Sequence, residues 1–82
     1  MNTEMLVGET AAEYADRLIA QARTDARARW GRCTAYRVGR VLGDAGVEML
    51  LSPYSGEYAQ SHFSDGIADG LRQRRYILTP NV

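Results

Sequence analysis

The sequence predicts an α+β fold, in which two helices pack on a short antiparallel sheet in the element order (β)αββα(β). Apolar residues recur at four-residue spacing over residues 10–30 and again over 57–74, which is typical of helices with one buried face. Residues 32–42 and 47–52 are largely apolar and flank a glycine-containing turn, as the strands of a hairpin do. An all-α domain of three helices is the alternative.

The first helix is predicted for residues 10–30. Thr10 and Glu13 have the spacing of a capping box, in which each side chain accepts a hydrogen bond from the other residue's backbone N–H. Gly31 is a natural end, because glycine adopts the left-handed conformation after the last helical turn. The apolar stripe consists of Tyr14, Leu18, Ala22, Ala26 and Trp30.

Residues 32–42 fit two structures. On a strand, their apolar side chains fill both faces. On a helix, Ala35, Val38 and Val41 would contribute to one apolar stripe. The β-branched valines and Gly39 favour the strand. Residues 43–46 then form a turn, and residues 47–52 form a second strand that ends before Pro53.

A second helix is predicted near residues 57–74. Gly66 and Gly70 each cost about 1 kcal/mol relative to alanine inside a helix. The helix could therefore begin at Ser64 or be interrupted there, and the GxxxG spacing of the two glycines marks either helix packing or a helix boundary.

Short strands are predicted at the two ends of the chain. Residues 76–79 precede Pro80 and have strand-like side chains, and residues 5–7 could pair with them at a sheet edge. We find neither internal repeats nor a low-complexity linker, so residues 1–82 are expected to form a single domain.

Composition favours a cytoplasmic, globular protein. The chain is 45% hydrophobic and 24% charged, close to the average for folded domains. The N-terminal residues lack the pattern of a secretory signal, and no apolar run is long enough to cross a membrane. Cys33 is the only cysteine, so no intrachain disulfide is expected. A chain of this length builds a modest core, which a homodimer would supplement.

Metal, cofactor and catalytic motifs are missing from the sequence. Cys33 and His62 are the only thiolate and imidazole ligands, and they lack metal-site spacing. We therefore predict no metal, no cofactor and no catalytic residue. A small enzyme that uses His62, with Cys33, Ser61 or Ser64 as nucleophile and Asp65 as orienting group, is a further alternative.

Charges are sorted along the chain into alternating acidic and basic blocks, and all ten basic residues are arginines. The helix macrodipole favours acidic residues first and basic residues last, which explains the order within both predicted helices. It does not explain the charges in and around the predicted hairpin. We predict a protein-binding surface there. The candidate residues are Arg32, Tyr36, Arg37, Arg40, Asp44, Glu48 and Tyr54.

Nucleic-acid binding is the second hypothesis. Arginines interleaved with Trp30 and Tyr36 could hold phosphates and stack on bases. The zero net charge argues against general DNA binding, and the acidic residues after Leu42 do not fit a recognition helix.

With its charge blocks and no enzyme motif, the chain resembles the small proteins with which phages and mobile elements inhibit bacterial defence, above all the anti-CRISPR proteins. The resemblance implies a stoichiometric inhibitor that occupies a Cas surveillance complex where target DNA or a nuclease docks. An acidic block would then stand in for phosphates on a basic Cas groove. That block consists of Asp44, Glu48, Glu57, Asp65 and Asp69.

Overall fold

Three helices make up the fold. The computed structural model describes residues 2–49 and 51–78, and of residues 75–78 it describes the backbone. The helices are α1 (Ala11–Trp30), α2 (Ala35–Asp44) and α3 (Glu57–Leu78). The described residues contain no strand, so the protein is all-α in the part that the structure covers. The α+β prediction and its order (β)αββα(β) are wrong, and the three-helix alternative is correct.

Helix α1 confirms the first predicted helix at both ends. The Thr10 hydroxyl accepts a hydrogen bond from the Glu13 N–H at 3.1 Å, and the Glu13 carboxylate accepts one from the Thr10 N–H at 3.0 Å. Gly31 follows the last turn with φ 70°, and its N–H donates to the Arg27 carbonyl at 2.7 Å. The capping box and the glycine stop thus act as the sequence indicates.

Helix α2 replaces the first strand of the predicted hairpin. Thr34 caps it, with the hydroxyl accepting from the Arg37 N–H at 3.4 Å. Val38, Val41 and Leu42 are fully or almost fully buried on one side, as the helical alternative for this segment required. The strand prediction failed because tertiary packing outweighs the weak β preference of two valines.

The described residues of the other predicted strands form no strand either. Residues 47–49 and 51–52 lie in the irregular connection after α2, and residues 76–78 continue α3. Residues 5–7 belong to a turn-containing segment before α1, and Thr79 lies outside the described residues. The second predicted helix exists, begins at Glu57 and runs through Gly66 and Gly70 without interruption.

All three helices contribute to one apolar core. Within the residues whose side chains are described, no polar or charged residue is buried, so the core is held by apolar contact. Trp30, Tyr54 and Leu71 pack against its edge. The buried side chains are Leu18, Ile19, Ala22, Ala26, Val38, Val41, Leu42, Phe63 and Ile67.

Glycines set the contact between α2 and α3. A Cβ on Gly39 would lie 2.3 Å from the Phe63 carbonyl oxygen, and a Cβ on Gly66 would lie 2.1 Å from the Tyr36 carbonyl oxygen. A Cβ on Gly43 or Gly70 would lie 2.4 or 2.6 Å from the nearest backbone atom of the opposite helix. Each helix therefore carries a GxxxG pair against the other, and the two backbones meet where four side chains are missing. The packing interpretation of Gly66 and Gly70 is confirmed.

Arg17 ties the segment before α1 onto that helix. Its guanidinium donates to the Glu9 carboxylate at 2.9 Å and to the backbone carbonyls of Asn2 and Glu4 at 3.0 and 2.6 Å. The Tyr14 hydroxyl donates to the Thr3 carbonyl. These bonds give the N-terminal segment a fixed path, which we call the N-terminal clasp (residues 2–9).

Candidate binding surface

Two sets of side-chain bonds among arginines, aspartates and one tyrosine connect the three helices, one set joining α1 to α2 and the other joining α2 to α3. Arg29 at the end of α1 donates to the Asp44 carboxylate at the end of α2, at 3.0 Å. Arg40, one turn before Asp44 on α2, donates to the same carboxylate at 3.2 Å. Asp44 thus holds two guanidiniums from two helices.

A second set of side-chain bonds joins α2 to α3. The Tyr36 hydroxyl donates to the Asp69 carboxylate at 2.6 Å, and Arg72 pairs with Asp69 one turn further along α3. This hydrogen bond and partial burial raise the pKa of Tyr36 above its ordinary value. The same bond from Tyr36, together with Arg72, lowers the pKa of Asp69. We call the residues Arg29, Tyr36, Arg40, Asp44, Asp69 and Arg72 the arginine–aspartate chain.

Two tyrosines provide a matched test of that chain. Tyr36→Phe removes the bond to Asp69 and should lower the free energy of unfolding by about 1 kcal/mol. Tyr54→Phe removes a buried hydroxyl that has no hydrogen-bond partner among the described residues, so stability should stay the same or rise slightly. Urea unfolding of both variants checks this. Equal losses in both would contradict a structural role for the Tyr36–Asp69 bond.

Trp30 lies beside the arginine–aspartate chain, at the corner between α1 and α2. The Arg29 guanidinium lies 4.4 Å from the centre of the Trp30 ring, and that of Arg37 lies 5.8 Å from it. Arg37 also donates to the Trp30 backbone carbonyl at 3.3 Å. The ring is half-buried and packs against the core, so two cations and the core fix its orientation.

The arginines divide into two sets by their ionic partners. Arg17, Arg29, Arg40 and Arg72 each lie within 4 Å of a carboxylate. Among arginines with described side chains, the rest have no carboxylate at that distance: Arg23, Arg27, Arg32, Arg37 and Arg74.

Four of those five arginines lie within seven residues of Trp30 in the sequence, and the guanidinium of Arg37 is near its ring. Arg23 and Arg27 are exposed and share one face of α1 with the tryptophan, because residues three and four apart are neighbours on a helix. Arg32 is exposed in the link to α2, and Arg37 lies against the ring from α2. We call Arg23, Arg27, Trp30, Arg32 and Arg37 the arginine–tryptophan surface.

The predicted site residues therefore separate. Tyr36, Arg40 and Asp44 belong to the arginine–aspartate chain, whereas Arg32 and Arg37 belong to the arginine–tryptophan surface. Glu48 is exposed in the connection after α2. Tyr54 is half-buried, with its ring centre 5.7 Å from that of Phe63 and the Arg23 guanidinium 5.9 Å from its ring. The described residues of segment 32–52 form no hairpin, so the element in and around which these seven residues were predicted is replaced by α2 and an irregular connection.

Several participants were missed at the sequence level. Arg29 and Asp69 are far apart in sequence from the partners they bind across helices, so no local spacing signals those contacts. Two ion pairs could have been predicted from the sequence, because Arg40 and Asp44 are four residues apart and Asp69 and Arg72 are three apart. Placing residues 32–42 on a strand and residues 43–46 in a turn hid the first of them.

Cys33 and His62, the central residues of the enzyme alternative, lie on different elements. Cys33 is half-buried in the link between α1 and α2, and His62 stacks on Tyr58 with a ring separation of 4.4 Å. In the part of the chain that the structure describes, no three histidine, cysteine, aspartate or glutamate residues are grouped as metal ligands. No helix there combines the length and apolar character needed to cross a membrane.

Comparison with protein-family models, curated proteins and solved structures gave no match. Function is therefore inferred from the residues of this chain.

Acid should destabilise the protein through two carboxylates. Glu9 accepts from Arg17 and from the Leu6 N–H, which lowers its pKa from the ordinary 4.5, and the bond from Tyr36 lowers that of Asp69 from 3.8. A carboxyl with a lower pKa in the folded state stabilises the fold above its unfolded pKa, and that stability is lost as the pH falls through the folded pKa.

The expected result is a thermal unfolding midpoint that falls as the pH drops below about 4.5. A variant with Glu9→Gln and Asp69→Asn should start lower at neutral pH and lose less over the same interval. Parallel pH curves for the two proteins would show that these carboxylates are not the source.

Proposed function

We propose that this protein is a non-enzymatic protein-binding module that places its arginine–tryptophan surface on an acidic patch of a partner protein. The observation that supports this most is the group of arginines around Trp30 that have no carboxylate within 4 Å among the described residues. Arginine and tryptophan are the side chains most enriched at binding hot spots. A rigid ring between two guanidiniums loses little conformational entropy on binding.

The distribution of charge along α1 favours a protein partner over nucleic acid. Asp16 lies on the same face of α1 as Arg23 and Arg27, two turns before Arg23, so the charge along that face reverses sign. The net charge of the chain is zero. A nucleic acid that tracked along α1 would meet a carboxylate, whereas a compact acidic patch on a protein would contact only the arginines.

Inhibition by occupancy is the activity that we propose for this surface. The resemblance to anti-CRISPR proteins implies a Cas surveillance complex as the partner and the cytoplasm of a bacterial host as the location. Within the acidic block, Asp44 is held by Arg29 and Arg40, and Asp69 by Tyr36 and Arg72. Those two carboxylates are therefore poor substitutes for phosphates. The arginine–tryptophan surface is the better binding element, blocking the docking of target DNA or a nuclease.

The test begins with affinity capture from a bacterial host and continues with the purified partner. Replacing Arg23 and Arg27 together by glutamine removes two positive charges from the proposed surface and should weaken the complex about tenfold or more. A tenfold loss of affinity corresponds to about 1.4 kcal/mol. Both side chains are exposed, so the fold should be unaffected. Isothermal titration calorimetry gives the affinity and the stoichiometry, which is expected to be equimolar.

A control with the same change in net charge uses two exposed serines of α3. Replacing Ser61 and Ser64 by glutamate should leave the affinity unchanged, because these residues lie outside the arginine–tryptophan surface. Equal loss of affinity in both variants would indicate a dependence on overall charge alone. Full affinity in the arginine variant would remove the proposal.

Nucleic-acid binding by the same arginines is the second candidate, since they could neutralise phosphates while Trp30 stacks on a base. Four phosphate contacts would give a slope of about −3.6 for log K against log salt. A DNA mobility shift at physiological salt with such a slope would favour this candidate over the protein-binding one.

A further inference from the structure

The N-terminal clasp displays three consecutive apolar side chains to solvent. Met5 and Leu6 are about half exposed, at 51% and 50%, and Val7 is fully exposed, at 106%. The Arg17 bonds on either side of them fix the segment, and the Glu9 N–H donates to the Leu6 carbonyl at 3.0 Å to close a turn. Contiguous apolar patches that are exposed to solvent commonly mark interaction sites.

An apolar groove lies next to this loop. It has a volume of about 540 Å³ and runs between the N-terminal half of α1 and the connection after α2. Leu51 on its wall is 85% exposed, and Thr3, which belongs to the clasp, lies at its edge. The apolar lining comes mainly from Tyr14, Leu18, Val47, Met49 and Leu51.

We propose that a second copy of this chain fills the groove. The tip and the groove are neighbours on one side of the molecule, because Thr3 lies at the groove and Met5 follows two residues later. A two-fold axis beside them would place the tip of each copy in the groove of the other. Such an interface is self-complementary, as the symmetric dimers of most homo-oligomers are.

Two charged side chains at the groove complement each other across the same axis, and one of them, Arg74, also donates to the Asp44 carbonyl at 3.3 Å. Glu48 lines the groove, and the Arg74 guanidinium lies against Gly46, which also lines it. Neither Glu48 nor Arg74 has an oppositely charged side chain within 4 Å among the residues whose side chains are described. In the dimer, Glu48 of each copy pairs with Arg74 of the other, and the symmetry makes this pair twice.

The dimer leaves the arginine–tryptophan surface open. The groove uses Tyr14 and Leu18 from the first half of α1, whereas the surface uses its second half. Each dimer therefore carries two copies of the surface, and a partner with two acidic patches would be held more tightly than one copy alone holds it.

Sedimentation equilibrium of the full chain over a range of concentrations tests the dimer. The unmodified protein should sediment as a dimer at high concentration. Val7→Asp should sediment as a monomer with an unchanged helical content by circular dichroism, because the Val7 side chain is fully exposed within its own copy. Tyr58→Asp is the matched control: it places the same charge at an 81% exposed residue of α3 outside the groove lining, and it should remain dimeric. A monomeric unmodified protein, or a Val7→Asp variant that remains dimeric, would overturn the proposal.

Charge exchange tests the two-fold arrangement. Arg74→Glu alone and Glu48→Arg alone should each be monomeric, because each creates two like-charge contacts in its own dimer. An equimolar mixture of the two variants should form a heterodimer in which both pairs are restored. If both single variants dimerise as well as the unmodified protein, or the mixture remains monomeric, the proposed arrangement is wrong.

Discussion

Gly66→Ala should lower the free energy of unfolding by about 3 kcal/mol, which is at the upper end of overpacking costs. The added Cβ would lie 2.1 Å from the Tyr36 carbonyl oxygen and 2.9 Å from the Arg40 backbone nitrogen. Both neighbours are backbone atoms of α2, so neither can turn away as a side chain could. The two helices must separate, and contacts along their whole interface weaken.

The sign of the change in stability of Gly66→Ala distinguishes helix packing from helix propensity. Inside an isolated helix, glycine to alanine is favourable by about 1 kcal/mol, because alanine has the higher helix propensity. Ser64→Ala on the exposed face of the same helix is the control, and it should leave stability unchanged or slightly raised. Urea unfolding compares the two variants. A stabilised Gly66→Ala protein would mean that α2 and α3 do not pack through their glycines.

Phe63→Ala should lower the free energy of unfolding by about 3–5 kcal/mol, the usual range for removing a buried aromatic ring. Phe63 is 1% exposed and is the largest fully buried side chain described. It lies on α3 at the position where the helix meets Gly39, and its ring contacts that of Tyr54. Its loss would leave a cavity that backbone contact between α2 and α3 prevents from collapsing.

Tyr58→Ala provides the comparison on the same helix. Tyr58 is 81% exposed, so its removal should cost about 0.5 kcal/mol or less. Circular dichroism in urea measures both variants. A Phe63→Ala protein as stable as the Tyr58→Ala protein would show that the core is not where the structure places it.

Local signals made α1 predictable from the sequence. Thr10, Glu13 and Gly31 fix its ends through bonds within a few residues, and its apolar stripe has the helical period. Helix α3 was located by the same periodicity, but its length was not. Residues 76–78 were assigned to a strand because their side chains have strand propensity, which the continuing helix outweighs.

Helix α2 could not be chosen over a strand without the tertiary structure. Gly39 and Gly43 weaken the helical pattern when taken alone, because glycine lowers helix propensity. Gly39 and Gly43 allow the backbones of α2 and α3 to approach closely, and this role depends on Gly66 and Gly70, which are remote in sequence and face them across the helix interface. The Thr34 cap was a local signal for this helix that the hairpin interpretation overlooked.

The candidate surface was partly predictable. The macrodipole argument left Arg32, Arg37 and Arg40 unexplained, and all three lie at the candidate surface or at the arginine–aspartate chain beside it. Their division between structure and binding was not predictable, because Arg40 acquires the carboxylate of Asp44 only on a helix. The macrodipole argument covered Arg23 and Arg27 with the other charges of the first helix, and the lack of nearby carboxylates distinguishes them only in three dimensions.

The central claim is that the arginines are divided, with one set holding the fold and another available to a partner. Urea unfolding of two triple variants with equal charge loss tests this division most directly. Replacing Arg23, Arg27 and Arg32 by glutamine should leave the free energy of unfolding within about 1 kcal/mol of the original value. Replacing Arg29, Arg40 and Arg72 by glutamine should lower the free energy of unfolding, and with it the urea midpoint, well below the values of the first variant. Asp44 then loses both of its guanidinium partners, and Asp69 loses Arg72. Equal midpoints for the two variants, or a larger loss in the first, would contradict the division.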